Sequence, residues 1–345
     1  MVSLKNLYYK VGSFCLDKIN LDIKKNEYFV ILGPSGNGKT QLLRCIAGLC
    51  SIQDGEIFID GKRKDQLPPE KRSVGMVFQN HILFPNMSVF DNIAFSLKLK
   101  KMNKNNIKDK VNHVAKIVGI DNLLSRSTVN LSGGERQRVA LARAIVFNPK
   151  VLLMDEPFAS LDKNLAEKLI IETKDLHKML KQTTIHVTHN QEEAFTLADR
   201  ICILKNGKIQ MIDTPDNIFH KPNSQFIANF VCIENIYSKA NIDTNGWISY
   251  HKKKISFHGD HQAKKNITFC IRPEDTLLER NRINGENVFR GNIQEIYDKG
   301  SIIRAVVDIG FRVVNLTMRN KFSKMNVNKG AEIYIKLPEK SIHII

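Results

Sequence analysis

Long apolar runs are absent: no stretch of the 345 residues approaches the about 20 needed to cross a bilayer as a helix, which excludes an integral helical membrane protein. Paired cysteines are missing too. The six that occur, at 15, 45, 50, 202, 232 and 270, form no Cys-x-x-Cys pair, so neither a zinc ribbon nor a disulfide framework is expected. Met1-Val2-Ser3-Leu4-Lys5-Asn6 lacks the charged-then-apolar layout of a secretory leader. Both features read as reduced thiols packed inside an intracellular protein. Acidic residues are comparatively scarce, 35 against 52 Lys plus Arg, leaving a net charge of +17.

With 42% apolar and 25% charged residues, disorder is excluded, and the length suits about two domains of ~150 residues. An excess of +17 raises the prospect of an anionic partner: nucleic acid, a membrane surface or phosphate-bearing ligands. Its distribution argues against a dedicated basic surface. Residues 1–220 hold 32 basic and 23 acidic side chains, residues 221–345 hold 20 and 12, and no polybasic tail occurs. A Lys-, Asn- and Ile-rich compositional bias accounts for it equally well. Only Lys98 to Lys116, with seven Lys against one Asp, is locally dense. It reads as a solvated helix face, with contact to anionic headgroups as the sharper alternative.

Residues 3–30 carry short broken apolar runs that fit antiparallel strands. Tyr28-Phe29-Val30-Ile31-Leu32 is a continuous apolar run ending at Gly33, as a strand buried on both faces requires. Helical spacing follows over Gln41–Leu49, 88–124 and 135–147, and buried strands are expected at 151–154, 184–187 and 201–204. Strands alternating with helices predict a helix-covered parallel sheet. After Lys221-Pro222-Asn223-Ser224 and a short helix to about Val231, only strand candidates remain: 246–250, 254–257, 267–271, 288–297, 301–308, 311–317 and 331–336. This organisation predicts a first domain over 1–220, a linker at 221–235 and an all-β domain, a small barrel, over 236–345.

Gly33-Pro34-Ser35-Gly36-Asn37-Gly38-Lys39-Thr40 fits GxxxxGK[ST] between the predicted strand and helix. Its glycines let backbone N–H groups turn inward around phosphate oxygens, and the helix N-terminus adds its dipole. Lys39 would reach the β- and γ-phosphates, and the Thr40 hydroxyl would ligate Mg²⁺. At the end of the strand 151–154, Asp155 is placed to hold the metal and Glu156 to polarise a water for in-line attack. Leu131-Ser132-Gly133-Gly134-Glu135-Arg136-Gln137 opens a helix as a second anion cradle. One nucleotide hardly needs two cradles from one subunit, so each is expected to serve the opposite copy of a head-to-tail dimer.

This last element resembles the signature loop of ABC-type ATPases, and the remaining motifs follow in that family's order over residues 1–220. Gln79 in Val77-Phe78-Gln79 is similar to the Q-loop, Ser160-Leu161-Asp162 to the D-loop, and His189 in Val187-Thr188-His189 to the switch histidine. Tyr9 stands where the family places an aromatic that stacks on adenine, with Tyr8 and Phe14 as alternatives. The resemblance implies an α/β P-loop ATPase with an antiparallel β subdomain and a helical subdomain at about 80–150. Its nucleotide contacts would be Tyr9, Gly33, Pro34, Ser35, Gly36, Asn37, Gly38, Lys39, Thr40 and Gln41, completed by Ser132, Gly133, Gly134 and Asp162. Glu156, His189, Lys39 and Gln79 would form the catalytic set, and Thr40, Gln79 and Asp155 the Mg²⁺ set. His186 reads simply as packing within its strand.

Ile271-Arg272-Pro273-Glu274-Asp275 resembles a motif of the TOBE-type regulatory barrel that follows many importer ATPases, here expected as an OB-like fold. Asn287–Gly291, Val306–Phe311 and the ending Lys336…Ile345 are similar to the molybdate-binding subtype. The implied function is the ATP-hydrolysing subunit of a molybdate/tungstate importer, peripheral on the cytoplasmic face of the membrane. Its implied partners are a second copy, integral permease subunits and an extracytoplasmic substrate-binding protein, with no nucleic acid. Sulfate, ferric iron, sugars and polyamines are the other cargoes such a subunit serves. Asn284-Gly285-Glu286-Asn287 departs from the subtype's Ser-Ala-Arg-Asn, putting Glu286 where a cation is usual. The departure favours a barrel that dimerises over one that senses an oxyanion.

Overall fold

In the computed structural model, which describes residues 1–80, 82–259 and 262–345, the chain opens with an antiparallel sheet. Strands β1 (Val2–Val11) and β2 (Phe14–Ile23) pair across the turn at Gly12. After β3 (Tyr28–Leu32) and α1 (Lys39–Ala47), β4 (Asp54–Ile59) pairs with β1, and β5 (Lys62–Arg63) completes the four-stranded layer. The central sheet adds β6 (Val74–Val77). The helical arm that follows contains α2 (Val89–Leu99), α3 (Lys104–Ile117) and α4 (Gly133–Ile145). Then come β7 (Val151–Asp155), α5 (Lys163–Leu180), β8 (Thr183–Thr188), α6 (Gln191–Leu197), β9 (Arg200–Lys205) and β10 (Lys208–Asp213). The order across the sheet is β10-β9-β3-β8-β7-β6, parallel except for the antiparallel edge strand β10.

β3 is central, and all five of its residues are at most 1% exposed. Taking five large apolar side chains out of water stabilises the strand by on the order of 10 kcal/mol, enough to hold a polar loop open at its end. The predicted helix 88–124 is two helices. Ser88 caps α2, accepting from Asp91 N at 3.0 Å, and Asn103 starts α3 afresh by accepting from Asn105 N at 2.9 Å. Ile107, Val111, Val114 and Ala115 of α3 face the interior, while all seven lysines of 98–116 are exposed, as on a solvated face. The chain's thiols are all free. Cys45, Cys202 and Cys270 are buried, and burial pushes each up to about 12, whereas Cys232 is exposed.

The chain forms two compact units, Met1–Pro215 and Asp216–Ile345. Around that division lie α7 (Pro215–His220) and α8 (Gln225–Phe230), so the segment 221–235 contains a helix whose Ile227 and Ala228 are fully buried. The second unit then runs through β11 (Asn235–Ile242), β12 (Trp247–Tyr250), β13 (Lys253–Ser256), β14 (Lys264–Ile271), β15 (Leu277–Glu279), β16 (Val288–Asp298), β17 (Ile302–Asp308) and β18 (Arg312–Met318). The short α9 (Arg319–Met325), β19 (Glu332–Lys336) and β20 (Ile342–Ile344) end it. Two five-stranded antiparallel sheets, β13-β12-β11-β14-β20 and β15-β19-β16-β17-β18, enclose one core built on Phe269, Ile293, Ala305 and Ile335.

Arg72 ties the first unit's layers together. It is 3% exposed, and its guanidinium donates to Leu67 O at 2.7 Å, Cys45 O at 2.8 Å, Ile46 O at 3.2 Å and Asp65 O at 2.8 Å. Two of these carbonyls belong to the last turn of α1, where Cys45 O otherwise accepts only from Gly48 N at 3.2 Å. Arg72→Ala should therefore lower the unfolding free energy by about 3 kcal/mol, and Arg72→Lys by nearly as much, because an ammonium cannot reach four carbonyls. Urea unfolding measures this; a loss below 1 kcal/mol would show that the carbonyls are satisfied otherwise.

Candidate functional site

Between β3 and α1 the loop Gly33–Lys39 curls around its own lysine. Lys39 is 4% exposed and donates from Nζ to Gly33 O at 2.8 Å and Pro34 O at 3.0 Å. Burial lowers its pKa, and the carboxylates of Glu156 and Asp155 oppose that shift. The curl depends on Gly38, which caps α1 with φ of 94°. A Cβ there would lie 2.2 Å from Phe14 Cζ, so both backbone angle and space demand glycine. No side chain caps α1 and no acidic residue occupies its first turn, which leaves its leading N–H groups for an anion. Asn37 fastens the loop to the β9–β10 turn: Nδ2 donates to Pro34 O and Ser35 O, while Oδ1 accepts from Asn206 N at 2.6 Å. The sequence motif alone does not reveal this anchor.

An open cavity of about 280 Å³ lies over the loop, bounded by Val11, Phe14, Ser35, Gly36, Gly38, Lys39, Thr40, Gln41 and Glu156. Tyr9 is not among them. It packs against the core of the antiparallel layer, and a side-chain hydrogen bond with Cys50 raises its phenol pKa. Of the three aromatics expected near adenine, the structure brings Phe14 to the cavity and leaves Tyr9 away from its walls.

At the cavity's inner end, Thr40 Oγ1 donates to Asp155 Oδ1 at 2.7 Å. Asp155 is 4% exposed; burial pushes its carboxyl up, and the Thr40 bond only partly opposes this. A desolvated carboxylate beside a hydroxyl, both hard oxygen donors, fits Mg²⁺, which takes one or two carboxylates and completes its shell with water and phosphate oxygens. Thr40 and Asp155 offer two protein donors, leaving the rest of such a shell to water and phosphate oxygens.

Glu156 follows directly. Its φ is 44°, a left-handed conformation costing a non-glycine residue about 1 kcal/mol, and its N–H donates to Val187 O at 2.9 Å. The bend aims the carboxylate between two neighbours. Oε1 lies 3.2 Å from His189 Nδ1, and Oε2 accepts from Gln79 Nε2 at 3.3 Å. Gln79, Glu156 and His189 leave three different strands, β6, β7 and β8, and converge here.

Ser132, Gly133, Gly134 and Asp162 do not line this cavity. Ser132 caps α4 in a reciprocal box: its Oγ accepts from Glu135 N at 3.3 Å, and Glu135 Oε2 accepts from Ser132 N at 2.7 Å. Those bonds hold the Glu135 carboxyl below its usual range. The turn packs on the segment that carries Asp162. A Cβ on Gly133 would lie 3.1 Å from Leu161, and one on Gly134 3.3 Å from Leu165, while Asp162 Oδ1 accepts from Leu165 N at 3.0 Å to cap α5. One chain thus carries a phosphate loop with its carboxylates, and apart from them an anion cradle joined to an acidic cap.

Residues 16–159 match the family model described as ABC transporter. The molybdate/tungstate import ATP-binding protein WtpC of Pyrococcus horikoshii is 39% identical over 347 residues, covering 100% of this chain and 99% of that protein. The spermidine/putrescine import ATP-binding protein PotA of Clostridioides difficile is 38% identical over 330 residues, covering 96% and 93%. A dimeric ATP-binding cassette solved in a post-hydrolysis state with ADP and Pi superposes with a TM-score of 0.55 at 32% identity, over 62% of this chain and 99% of that one. Full-length similarity of this order, joined to a phosphate loop, a buried Mg²⁺-type carboxylate and a flanking Glu–His pair, places the chain among the importer-type ABC transporter ATP-binding proteins: it is an ATPase, using ATP and Mg²⁺, coupled to transport.

Proposed function

We propose that two copies of this chain close head to tail on two ATP molecules and drive uptake of an oxyanion, molybdate or tungstate, through a membrane permease. The observation that carries the dimer is the separation just described, because the Ser132–Gly134 cradle and Asp162 lie off the cavity they would have to complete. In this reading Gly36, Gly38, Lys39 and Thr40 of one copy hold the phosphates, and Ser132 and Gly134 of the other copy cover them. Ser35, Asn37 and Gln41 shape the loop, and Phe14 stacks on the base in place of Tyr9. Thr40, Asp155 and Gln79 hold Mg²⁺, which supplies charge neutralisation at the β- and γ-phosphates. Glu156 accepts the proton of the attacking water, and His189, held against Glu156, senses the γ-phosphate.

A second surface supports the permease. A groove of about 490 Å³ runs between the sheet and the helical arm, lined by Leu49, Met76, Phe78, Ile82, Phe84, Phe95, Arg143 and Phe147. Leu49 is 49% exposed and Ile82 63%, an apolar patch suited to a short helix from a membrane subunit. Such docking puts the chain on the cytoplasmic face. A substrate-binding protein on the far side delivers cargo, and nucleic acid has no part.

The second unit is read as a TOBE-type, OB-like module. Asn287, 6% exposed, spends its side chain on Ser256, donating to its carbonyl and accepting from its N–H at 2.7 Å, while Lys336 Nζ donates to Asn284 O. With Glu286 exposed between them, this stretch is suited to structure and dimerisation more than to anion capture. Molybdate and tungstate lead because WtpC matches over its whole length; the polyamine relative is nearly as similar, and the catalytic residues are blind to cargo. In reconstituted transporter, molybdate- or tungstate-loaded binding protein should stimulate ATPase at least tenfold more than polyamine-loaded protein, and the reverse order would reassign the cargo.

Three variants test the site. Glu156→Gln should bind ATP, dimerise and turn over at least 100-fold more slowly; hydrolysis at the wild-type rate would remove Glu156 as the base. Ile82→Glu should leave basal ATPase within twofold while cutting permease-dependent stimulation about tenfold, and unchanged stimulation would place docking elsewhere. Because burial raises the Asp155 carboxyl, ionisation at neutral pH costs the folded state stability that returns as pH falls through the raised pKa. Asp155→Asn should therefore raise the Tm of nucleotide- and Mg²⁺-free protein by about 3 °C at pH 7.5, with the gain shrinking toward pH 4. An unchanged Tm across that window would mean the carboxylate is fully compensated.

A further inference from the structure

Behind His189, in the strand that leads to it, His186 makes a polar contact that the catalytic set does not use. His186 of β8 is fully buried, and its Nε2 is 3.4 Å from Oε2 of Glu193, itself 5% exposed. Neither atom has a hydrogen-bond partner among the described residues, so what joins them is a close polar approach inside the core. On the other side of the ring, Tyr28 Oη lies 3.0 Å from Nδ1. Burial, with the Glu193 carboxylate nearby, pushes the Tyr28 phenol well up, so Oη keeps its proton beside the ring.

The connections of these residues give the contact its meaning. Tyr28 opens β3, whose other end is the phosphate loop. The Phe158 ring, two residues beyond Glu156, packs 5.7 Å from the His186 ring. Glu193 sits in the first turn of α6, and the cap of that helix is Asn190, the residue next to His189, which accepts from Glu192 N at 2.8 Å and Glu193 N at 3.4 Å. His189 therefore stands between two points, His186 below it in β8 and Glu193 above it in α6, that face each other across 3.4 Å. A carboxylate buried against a single imidazole is a poor source of stability, since well-packed apolar residues would do as well or better. It does confer a fixed position.

We propose that Glu193 is a positioning residue for ATP hydrolysis: its buried contact with His186 ties α6 to β8 and so holds His189 against Glu156. The proposal rests on the reading of His189 as the residue that engages the γ-phosphate. Removing the tether lets the His189 turn drift, so hydrolysis slows while ATP binding, made by the phosphate loop, is kept.

Steady-state ATPase kinetics of the full-length chain test this. Glu193→Ala should lower kcat about tenfold with KM for ATP within twofold, and Glu193→Gln, which keeps the side chain's length and a polar end against His186, should recover most of the loss. In a His189→Ala background, Glu193→Ala should cost nothing further. Because a lone buried histidine could impair folding, the paired change Glu193→Leu with His186→Leu supplies a packed core without the tether. It should keep Tm within a few degrees and still lose about tenfold in kcat. Wild-type kcat in that pair or in folded Glu193→Ala overturns the proposal, as does an undiminished further loss in the His189→Ala background. Full activity of His189→Ala alone would instead sink the role of His189, a separate failure.

Discussion

The parallel ladder joining β3, β8 and β7 is the constraint on which everything else depends. Its register sets Leu32 beside Thr188 and Asp155 beside Val187, so the three strands end at one level. Gly33, Glu156 and His189 therefore emerge side by side from segments far apart in sequence. Ligand sites of open parallel sheets form at the carboxyl ends of strands for this reason. The fully buried β3 and β8 make that edge stiff, and short bonds tie Thr40 and Glu156, outside the strands, to Asp155 and Val187 of the ladder. Strain at Glu156 is tolerated because the ladder over-determines the residues around it.

In the proposed dimer the same edge makes each site half a site. A loop can wrap phosphate from the sheet side, but the opposite side of the γ-phosphate needs a second surface. In the proposed dimer the Ser132–Gly134 turn supplies that surface, held by its reciprocal capping box and seated on Leu161 and Leu165, with Asp162 at the head of α5. A self-complementary pairing of two chains uses both surfaces twice, which is the economical solution for two identical subunits.

Much of this was legible because the chemistry is local. Gly33–Thr40, Asp155–Glu156 and Ser132–Gly134 are short segments whose residue types dictate their geometry, and β3 is announced by an unbroken apolar run. Other features depend on tertiary detail. That Phe14 lines the cavity and Tyr9 does not is something spacing to Lys39 cannot express. Helix α5 escapes a periodicity reading because Leu169, Ile170 and Thr173 supply its buried stripe while Ile171 and Met179 are 60% exposed. β11 is broken by a positive φ at Lys239, and β15 and β20 are only three residues each. His186 reads as packing in sequence, and only its burial against Glu193 reveals a polar partner. The net charge of +17 does not point to the site: the seven lysines of 98–116 are exposed, with Lys98 paired to Asp91 and Lys100 over the Phe147 ring.

Mixing two inactive copies tests the shared site most directly. A Lys39→Ala chain lacks a working phosphate loop, and a Ser132→Arg chain lacks a working cradle. A heterodimer of the two pairs the intact loop of one with the intact cradle of the other. ATPase activity should be near zero for each variant alone and recover toward about a quarter of wild type on mixing in equal amounts, as random pairing with one intact site per heterodimer requires. Mixtures as inactive as the separate proteins would mean that loop and cradle act within one chain, and would contradict the account.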